Sequence, residues 1–383
     1  MPEASDSTID PKLRIRSRAV LEFRCQCKLN PSREFAATGG TIGPPAHLSH
    51  KERDAARATW IRFEGFHANQ NPGTAAVILG RRELFTQAHY EANKGVAPAH
   101  LCELVVHCLE LVSQLSHHGL RYRFKGGNSL LLLLEDPQRF SIDVDIVTKE
   151  TKQAMIAAVE EVTAACDVFQ RFESRAPQTK PWLPMISFKL YFDSCYQPAD
   201  EAFVMLDVVL EPPPYPGVLR QVRCGALYAS SVEAEVPSVS GLIGDKLLTI
   251  GPSTLGIPLG KGKAAQRLKH VFDVSLLVQQ GYDLEQVHRA IRGCQQQEER
   301  IQRSSYFWKE IAADTLRFCS EPLAHEQPPD PRTLGEATYL YEIVTGFDGF
   351  REHLFRTDYT WKMLQADCRR VVDLVEELGG ATG

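Results

Sequence analysis

The sequence predicts an α+β protein in which an α/β core, from 121 to 240, is followed by a helical C-terminal domain, from 241 to 383. In the first region, strand-like apolar runs alternate with helical segments through short connections. In the second region, the pattern turns helical almost to the end. The chain has 383 residues, a length that fits two or three domains.

The N-terminal part carries weaker signals. Residues 1–55 mix Ser, Pro, Gly and charge without a sustained period, which predicts a weakly ordered tail. A basic stretch inside this tail fits a nucleic-acid arm, but a solvated tail or a misplaced start codon is the favoured interpretation. Residues 56–120 are predicted as a helical segment. Helix-like patterning occurs at 52–70 and 82–93, and a well-defined helix at 100–119.

The predicted core begins with a strand at 121–124, a Gly-Gly turn and a leucine-rich helix. The elements predicted after them are a strand at 143–147, a helix at 151–166, and strands at 185–192 and 202–211. The helices predicted for the C-terminal domain lie near 240–250, 263–280, 283–296, 300–320, 335–355 and 358–378.

Composition limits the classes of function. The net charge is −5, so any contact with nucleic acid phosphates must be made by a local basic surface. No apolar run, the five leucines Leu130 to Leu134 included, approaches the roughly 20 residues that cross a bilayer. The N-terminus does not resemble a secretory signal. We therefore expect a cytoplasmic protein that does not contact a membrane.

The ten cysteines are scattered along the chain. Cys25 and Cys27 form the closest pair, but no second pair or His cluster completes a zinc spacing. We therefore expect reduced, mostly buried thiols.

Two carboxylates are predicted to share one strand face. Asp143 and Asp145 are two residues apart, so their side chains point to the same side, whereas Val144 and Ile146 point into the core. A solvated strand end would explain the acids equally simply, but the flanking apolar residues favour a buried strand. Two aligned carboxylates suit Mg²⁺, or Mn²⁺ in its place, which takes one or two carboxylates together with substrate phosphates.

A third carboxylate is expected on a neighbouring strand. Asp207 is a lone acid inside an apolar run, where a charge is costly unless it is paired or coordinates a metal. Asp143, Asp145 and Asp207 are therefore the predicted metal ligands, and three acids are enough for two metal ions.

Gly126 and Gly127 follow a strand and open a helix. Glycines at such a position allow main-chain amides to approach a triphosphate, and the start of the helix adds a favourable dipole. Asn128 and Ser129 would offer side-chain donors to the same phosphates. A Gly-Gly pair before a helix is weak evidence when it stands alone.

Together these residues resemble the AbiEii/AbiGii toxin family of nucleotidyltransferases, within the DNA polymerase beta-like superfamily. The family pattern is a Lys-Gly-Gly turn, here Lys125 to Gly127, followed by Arg-Phe-Ser-x-Asp-x-Asp, here Arg139 to Asp145. A later Lys-Leu block resembles Lys246 and Leu247. The last family block corresponds to Arg267, Lys269 and Asp273, with His270 where the family often carries Asp.

The resemblance implies a nucleotidyltransferase core with a mixed sheet and a Mg²⁺-dependent transfer of NMP from an NTP to an acceptor hydroxyl. The implied catalytic residues are Asp143, Asp145, Asp207, Lys246 and Asp273. The implied nucleotide-binding residues are Lys125, Gly126, Gly127, Asn128, Ser129, Lys246, Arg267 and Lys269. The implied partners are RNA, with tRNA among the candidates, and a cognate antitoxin protein of a toxin–antitoxin or phage-defence system.

Other interpretations stay open from the residues alone. Lys269 and Asp273 are four apart on a predicted helix and also fit an ordinary surface ion pair. The acceptor could instead be a small molecule or a protein hydroxyl, or the chain could be a non-catalytic nucleotide-binding regulator. An RNA acceptor would need a basic groove, for which the candidates are Arg121, Arg123, Lys125, Lys261, Lys263, Arg267 and Lys269.

Overall fold

The computed structural model describes residues 61–63, 77–134, 138–177, 182–198, 201–302, 305–355 and 358–379. The predicted tail and the Cys25–Cys27 pair lie outside these residues. The described residues form two compact units. The core unit contains the described part of Glu34–Leu242 together with Arg351–Tyr359, and the helical unit contains Ile243–Phe350 and the described part of Thr360–Gly383.

The core unit is built on a six-stranded sheet. Its strands are β1 (Ile61–Phe63), β2 (Arg123–Lys125), β3 (Asp143–Val147), β4 (Arg171–Arg175), β5 (Met185–Tyr191) and β6 (Phe203–Val209). Their order is β1-β4-β5-β6-β3-β2. Strands β3 and β6 are parallel and the other neighbours are antiparallel, so the predicted α+β fold with a mixed sheet is confirmed.

Helices cover one face of this sheet. The core-unit helices are α1 (Gln87–Asn93), α2 (Ala99–His117), α3 (Leu130–Leu133) and α4 (Lys152–Ala165), and a 3₁₀ turn at Arg82–Phe85 precedes them. Helices α2 and α4 pack on the sheet, and Val144, Ile146 and Leu206 belong to the same buried cluster as their apolar residues. Since strand side chains alternate, the acids of β3 and β6 lie on the opposite face.

Four of the described strands were not predicted: β1, β4 and the two strands of a second sheet. Strand β1 lies where helix-like patterning was predicted, and it pairs instead with β4. A separate two-stranded sheet is formed by β7 (Gly217–Cys224) and β8 (Tyr228–Pro237), which are antiparallel and joined by a turn with Gly225 at φ +49°. Helix α2 packs against β8 and therefore belongs to the core unit rather than to a separate helical segment.

The helical unit confirms the predicted helical C-terminal part. Its helices are α5 (Val239–Leu247), which begins at the end of the core unit, α6 (Ala264–Gln279), α7 (Leu284–Gln302), α8 (Trp308–Leu323), α9 (Tyr339–Arg351) and α10 (Trp361–Glu377). Helix α10 packs against α6 and α8. Within the described part of the chain, no helix combines the length and apolar character that a bilayer crossing requires.

The chain returns to the core unit between α9 and α10. This return segment, Arg351–Tyr359, pairs with the stretch just before β3: the Phe140 N–H donates to the His353 carbonyl at 2.7 Å. The Phe355 N–H donates to the Gln138 carbonyl at 3.0 Å, and the Phe140 and Phe355 rings lie 5.1 Å apart. A segment about two hundred residues later in the chain thus holds the Arg-Phe-Ser stretch in place.

Candidate active site

The strand register brings the predicted acids together. Asp145 on β3 lies directly opposite Asp207 on the parallel neighbour β6, and Asp143 lies two residues earlier on the same face. Neighbouring strands are about 5 Å apart, so the carboxylates of Asp145 and Asp207 share one patch of the sheet. Asp207 is 9% exposed, whereas Asp143 and Asp145 are half-buried.

Polar residues extend this patch across the sheet. Lys125 on β2 lies opposite Asp145, and Ser187 on β5 lies opposite Asp207. The Ser187 hydroxyl donates to Asp207 Oδ1 at 2.6 Å. Sequence analysis missed Ser187, although its strand alternates polar Ser187 and Lys189 with apolar neighbours, which was the available signal. Lys125, Asp145, Asp207 and Ser187 therefore form one row on four adjacent strands.

The donor set fits a divalent cation that is shared with a substrate. Among the described residues, no three Asp, Glu, His or Cys side chains converge to enclose an ion, so the predicted three-acid cluster is not a closed protein cage. Mg²⁺ needs only one or two carboxylates when phosphate oxygens and water complete its shell. Asp143 and Asp145, on one strand face, meet that requirement.

The Gly-Gly turn lies directly against the acids. Gly126 has φ +75°, and a Cβ at this position would overlap the Asp145 carboxylate. A Cβ at Gly127 would lie 2.7 Å from Ser141 Oγ and 2.8 Å from Arg139 Nη2. A Cβ at either position would therefore force neighbouring side chains to shift, and at Gly126 the positive φ adds backbone strain. The Lys-Gly-Gly turn and the Arg-Phe-Ser-x-Asp-x-Asp stretch form one interlocked structure.

Asn128 and Ser129 are fully buried and are engaged inside the protein. The Ser129 hydroxyl donates to the Gly126 carbonyl at 2.9 Å, which closes the turn. Asn128 Nδ2 donates to the Asp143 carbonyl at 2.8 Å, which ties the turn to β3. In this geometry both side chains shape the turn, and main-chain amides are the groups that the turn can present. Donation to phosphates by these two side chains stays a prediction. Helix α3 beyond the turn is only four residues long.

In the helical unit, Lys246 and Asp273 form a buried ion pair. Lys246 Nζ lies 2.6 Å from Asp273 Oδ2, and the two residues are 4% and 0% exposed. Both side chains therefore lie in the interior of the helical unit. Lys269, on the same helix as Asp273, is half-buried.

Arg267 is an internal anchor. It is 0% exposed, and its guanidinium binds the Ile257 carbonyl, the Pro258 carbonyl and the Glu342 carboxylate. Glu342 also accepts the Gly260 N–H at 2.7 Å. Every guanidinium nitrogen of Arg267 is bound inside the protein, and its expected contact with a nucleotide stays a prediction. Arg267 holds the loop before α6.

Arg123, another candidate for the predicted basic groove, also lies in the interior. It is 7% exposed and binds the Tyr215 carbonyl and the Glu235 carboxylate. Two of the seven groove candidates, Arg123 and Arg267, are thus structural residues of the interior. Arginine burial of this kind has no reliable signal in a single sequence.

A comparison with family models connects these features. The model described as the nucleotidyl transferase AbiEii toxin of a type IV toxin–antitoxin system matches residues 110–343, more than half of the chain. This chain belongs to the AbiEii family of nucleotidyltransferase toxins. The match includes the Gly-Gly turn, the three acids and the Lys246–Asp273 pair.

Among solved structures, the chain is similar to MenT4, a nucleotidyltransferase toxin from Mycobacterium tuberculosis H37Rv. The identity is 14% and the TM-score is 0.43, over 76% of this chain and 99% of that chain. A comparison with curated proteins found no match.

The described cysteines are reduced and mostly buried. Cys108 lies beneath the start of β3, with its Sγ 3.4 Å from the Ile142 carbonyl, and burial raises the pKa of its thiol. All eight described cysteines are free thiols and seven of them are buried, as the sequence predicted. A buried, protonated thiol is a poor nucleophile.

Proposed function

We propose that this AbiEii-family protein transfers a nucleoside monophosphate from an NTP to an acceptor hydroxyl in a Mg²⁺-dependent reaction. The observation that supports this most strongly is the register of β3 and β6, which sets Asp145 beside Asp207 next to the interlocked Gly-Gly turn. Acids alone would fit a solvated strand end. Acids that pack closely against two glycines fit a binding site for a triphosphate.

Asp143 and Asp145 are the residues that would hold Mg²⁺ together with the triphosphate. When bound there, the ion supplies positive charge that neutralises the α-phosphate and the departing pyrophosphate. The Gly126–Gly127 turn contributes main-chain N–H groups to the outer phosphates, and Ser129 keeps the turn closed. Lys125, opposite Asp145, adds positive charge at the same edge.

Asp207 has a separate role in this proposal. Its carboxylate accepts the proton of the attacking hydroxyl, which raises the nucleophilicity of that oxygen. The bond from Ser187 to Oδ1 fixes the orientation of the carboxylate. Ser187 is thus a positioning residue in this proposal.

The family resemblance supplies further elements of the proposal. It assigns Lys246, Lys269 and Asp273 to nucleotide binding and catalysis, and it assigns RNA, with tRNA among the candidates, as the acceptor. It also assigns a cognate antitoxin as a protein partner. The cytoplasm, expected from the sequence itself, is the proposed site of action. The type IV toxin–antitoxin description of the matching family supports the antitoxin.

The test is incubation of the purified full-length protein with α-labelled NTPs, Mg²⁺ and separate pools of RNA, protein and metabolites. We expect label to move into one pool, the transfer to stop on chelation, and Asp145→Asn to abolish it. If the label stays in NTP under every condition, the transferase proposal is wrong. Equal metal-dependent NTP binding by the wild type and Asp145→Asn, without transfer, would instead support a regulatory nucleotide-binding protein.

A further inference from the structure

Asp143, the first residue of β3, has less support from neighbouring strands than Asp145 has. On one side it lies opposite Met205 of the parallel strand β6. On the other side β2 ends at Lys125, which lies opposite Asp145, so the backbone of Asp143 extends past the end of β2. Asp145 has strand neighbours on both sides. Groups outside the sheet are therefore needed to fix the backbone at Asp143.

Two buried side chains bind the backbone on either side of the Asp143 Cα. The Cys108 thiol, on α2, donates to the Ile142 carbonyl, with Sγ and the carbonyl oxygen 3.4 Å apart. Asn128 Nδ2, from the turn, donates to the Asp143 carbonyl at 2.8 Å. Both residues are 0% exposed, and the Asn128 side chain is also within hydrogen-bond reach of the Cys108 thiol. Helix α2, the turn and the first residue of β3 thus meet at one buried contact.

These two bonds fix the direction of the Asp143 carboxylate. Peptide groups are planar, so the orientations of the Ile142 and Asp143 carbonyls set φ and ψ at the Cα between them. The backbone at this Cα in turn determines where the side chain points. The apolar residues of β3 belong to the buried cluster that includes Cys108, so the carboxylate lies on the opposite side of the sheet. Cys108 therefore acts through the backbone, from the face opposite to the acids.

The thiol is maintained as a hydrogen-bond donor. Burial, together with the charges of Asp143 and Asp145, raises the pKa of Cys108. The thiol therefore keeps the proton that it donates to the Ile142 carbonyl. An aliphatic side chain at this position could fill the same space, but it could not replace the bond.

Resting on the proposed transferase function, we propose that Cys108 is a positioning residue that sets the geometry of Asp143 for binding a divalent cation. In that function Asp143 and Asp145 hold the cation together. Groups that orient a metal ligand change metal affinity or activity about 10- to 100-fold when they are removed. A thiol is a weak donor, so the loss of its bond should affect folding little. The effect on the cation should be larger, because a carboxylate that turns away no longer shares the ion with Asp145.

The test measures Mn²⁺ binding by the full-length protein with a non-hydrolysable NTP analogue, so that no transfer is needed. Mn²⁺ stands in for Mg²⁺, and free Mn²⁺ is followed by electron paramagnetic resonance. Cys108→Val removes the donor with little change in volume, so the Kd for Mn²⁺ should rise about tenfold. Cys108→Ser restores a donor and should regain at least part of the affinity. The transfer rate with Mg²⁺, measured separately, should follow the same order.

Cys102 provides the matched control for burial. It lies six residues earlier on α2, is also 0% exposed, and interacts with Cys224 of β7. Cys102→Val should therefore bind Mn²⁺ like the wild type, and urea denaturation should give similar midpoints for the two Val variants. Where Cys108→Val does not fold, Cys108→Ala takes its place beside Cys108→Ser, since these two variants differ by one hydroxyl.

The outcomes separate this proposal from the transferase proposal. If Cys108→Val, or Cys108→Ala in its place, binds Mn²⁺ like the wild type while Asp145→Asn loses the ion, Cys108 is not a positioning residue and the cation site remains. If Cys108→Ser binds Mn²⁺ as weakly as Cys108→Val, the side chain acts by packing alone and the proposal is wrong. If Mn²⁺ affinity follows the expected order while no label leaves the NTP, the role of Cys108 stands and the transferase proposal fails.

Discussion

The backbone of Gly126 and the carboxylate of Asp145 occupy adjoining space. A Cβ at residue 126 would overlap Asp145 Oδ2 and would lie 2.8 Å from its Cγ. The turn and the acid strand are therefore in direct contact, with no room for an intervening side chain. The positive φ of Gly126, +75°, adds a second reason why only glycine fits.

Comparing Gly126→Ala with a matched control should separate the effect of this contact on activity from the effect of the positive φ on stability. Gly119, at the end of α2, has φ +77° and nothing within 4 Å of a Cβ, so Gly119→Ala is the matched control. Both variants should lose about 1–2 kcal/mol of unfolding free energy from the left-handed conformation, measured by urea denaturation. Only Gly126→Ala should also lose transfer activity, since it displaces Asp145. Full activity in Gly126→Ala would contradict the proposed geometry.

Replacing one of the acids at the site should reduce the transfer rate far more than replacing another surface carboxylate. Asp145→Asn keeps the size of the side chain but removes the charge that would hold Mg²⁺, so the transfer rate should fall at least about a hundredfold. Asp193→Asn, an exposed acid after β5, should retain the wild-type rate. The measurement is initial rate against Mg²⁺ concentration. Equal rates for the two variants would exclude Asp145 from the reaction.

The Lys246–Asp273 pair should contribute strongly to the free energy of unfolding. Lys246→Met leaves the Asp273 carboxylate buried without this partner, which should cost about 3–5 kcal/mol of unfolding free energy. The double variant Lys246→Met/Asp273→Leu should regain part of that loss, as a double-mutant cycle would show. Transfer by a stably folded double variant at the wild-type rate would remove both residues from the proposed nucleotide-binding set.

Acid should destabilise the core unit through His107. Burial lowers the pKa of this imidazole from 6.5 to about 4, in spite of the bond from its Nδ1 to the Glu103 carbonyl. Between these pH values the unfolded chain binds a proton that the folded protein does not bind. The contribution of His107 to stability is therefore lost as pH falls from 6.5 towards 4, by at most about 1.4 kcal/mol per pH unit.

His107→Phe should reduce this pH dependence and keep an aromatic ring stacked on Phe192, whose centroid lies 3.7 Å from that of His107. Burial also raises the pKa of Glu103, which gives an opposing slope above pH 4.5, but this group is present in both proteins. The exposed His117→Phe is the control and should leave the pH dependence unchanged. Unfolding free energies at pH 4.5 and 6.5 test this prediction, and identical pH dependences of stability in the wild type and His107→Phe would contradict it.

The elements that sequence analysis found are those with strong local periodicity. Helix α2 and strands β3, β5 and β6 carry dense apolar patterns. The register of the paired strands then places the predicted acids side by side. Strand β4 was missed because only Phe172 and Ser174 of its five residues are buried. The β7–β8 hairpin was missed because exposed residues such as Leu219 and Arg220 obscure the alternation.

At the site, residue types and spacing predicted the acids and glycines, but not the internal partners. The bonds of Ser129 to the turn and of Arg267 to the Ile257 and Pro258 carbonyls depend on local backbone geometry. The bonds of Arg123 to Glu235 and of Arg267 to Glu342 join residues that are far apart in the sequence. Whether a polar side chain faces a ligand or the interior depends on such contacts, and a single sequence does not encode them in any local pattern.

The return segment also limits how this protein can be divided. A fragment that ends at Leu242 would contain every strand, both glycines and all three acids, yet it would lack the backbone partners of Gln138 and Phe140. The core unit is completed by residues 351–359, which follow most of the helical unit in the chain. The two compact units are therefore not interchangeable modules. Expressed fragments, or fusions made by exchanging C-terminal halves, need to carry residues 351–359 along with the first part of the chain.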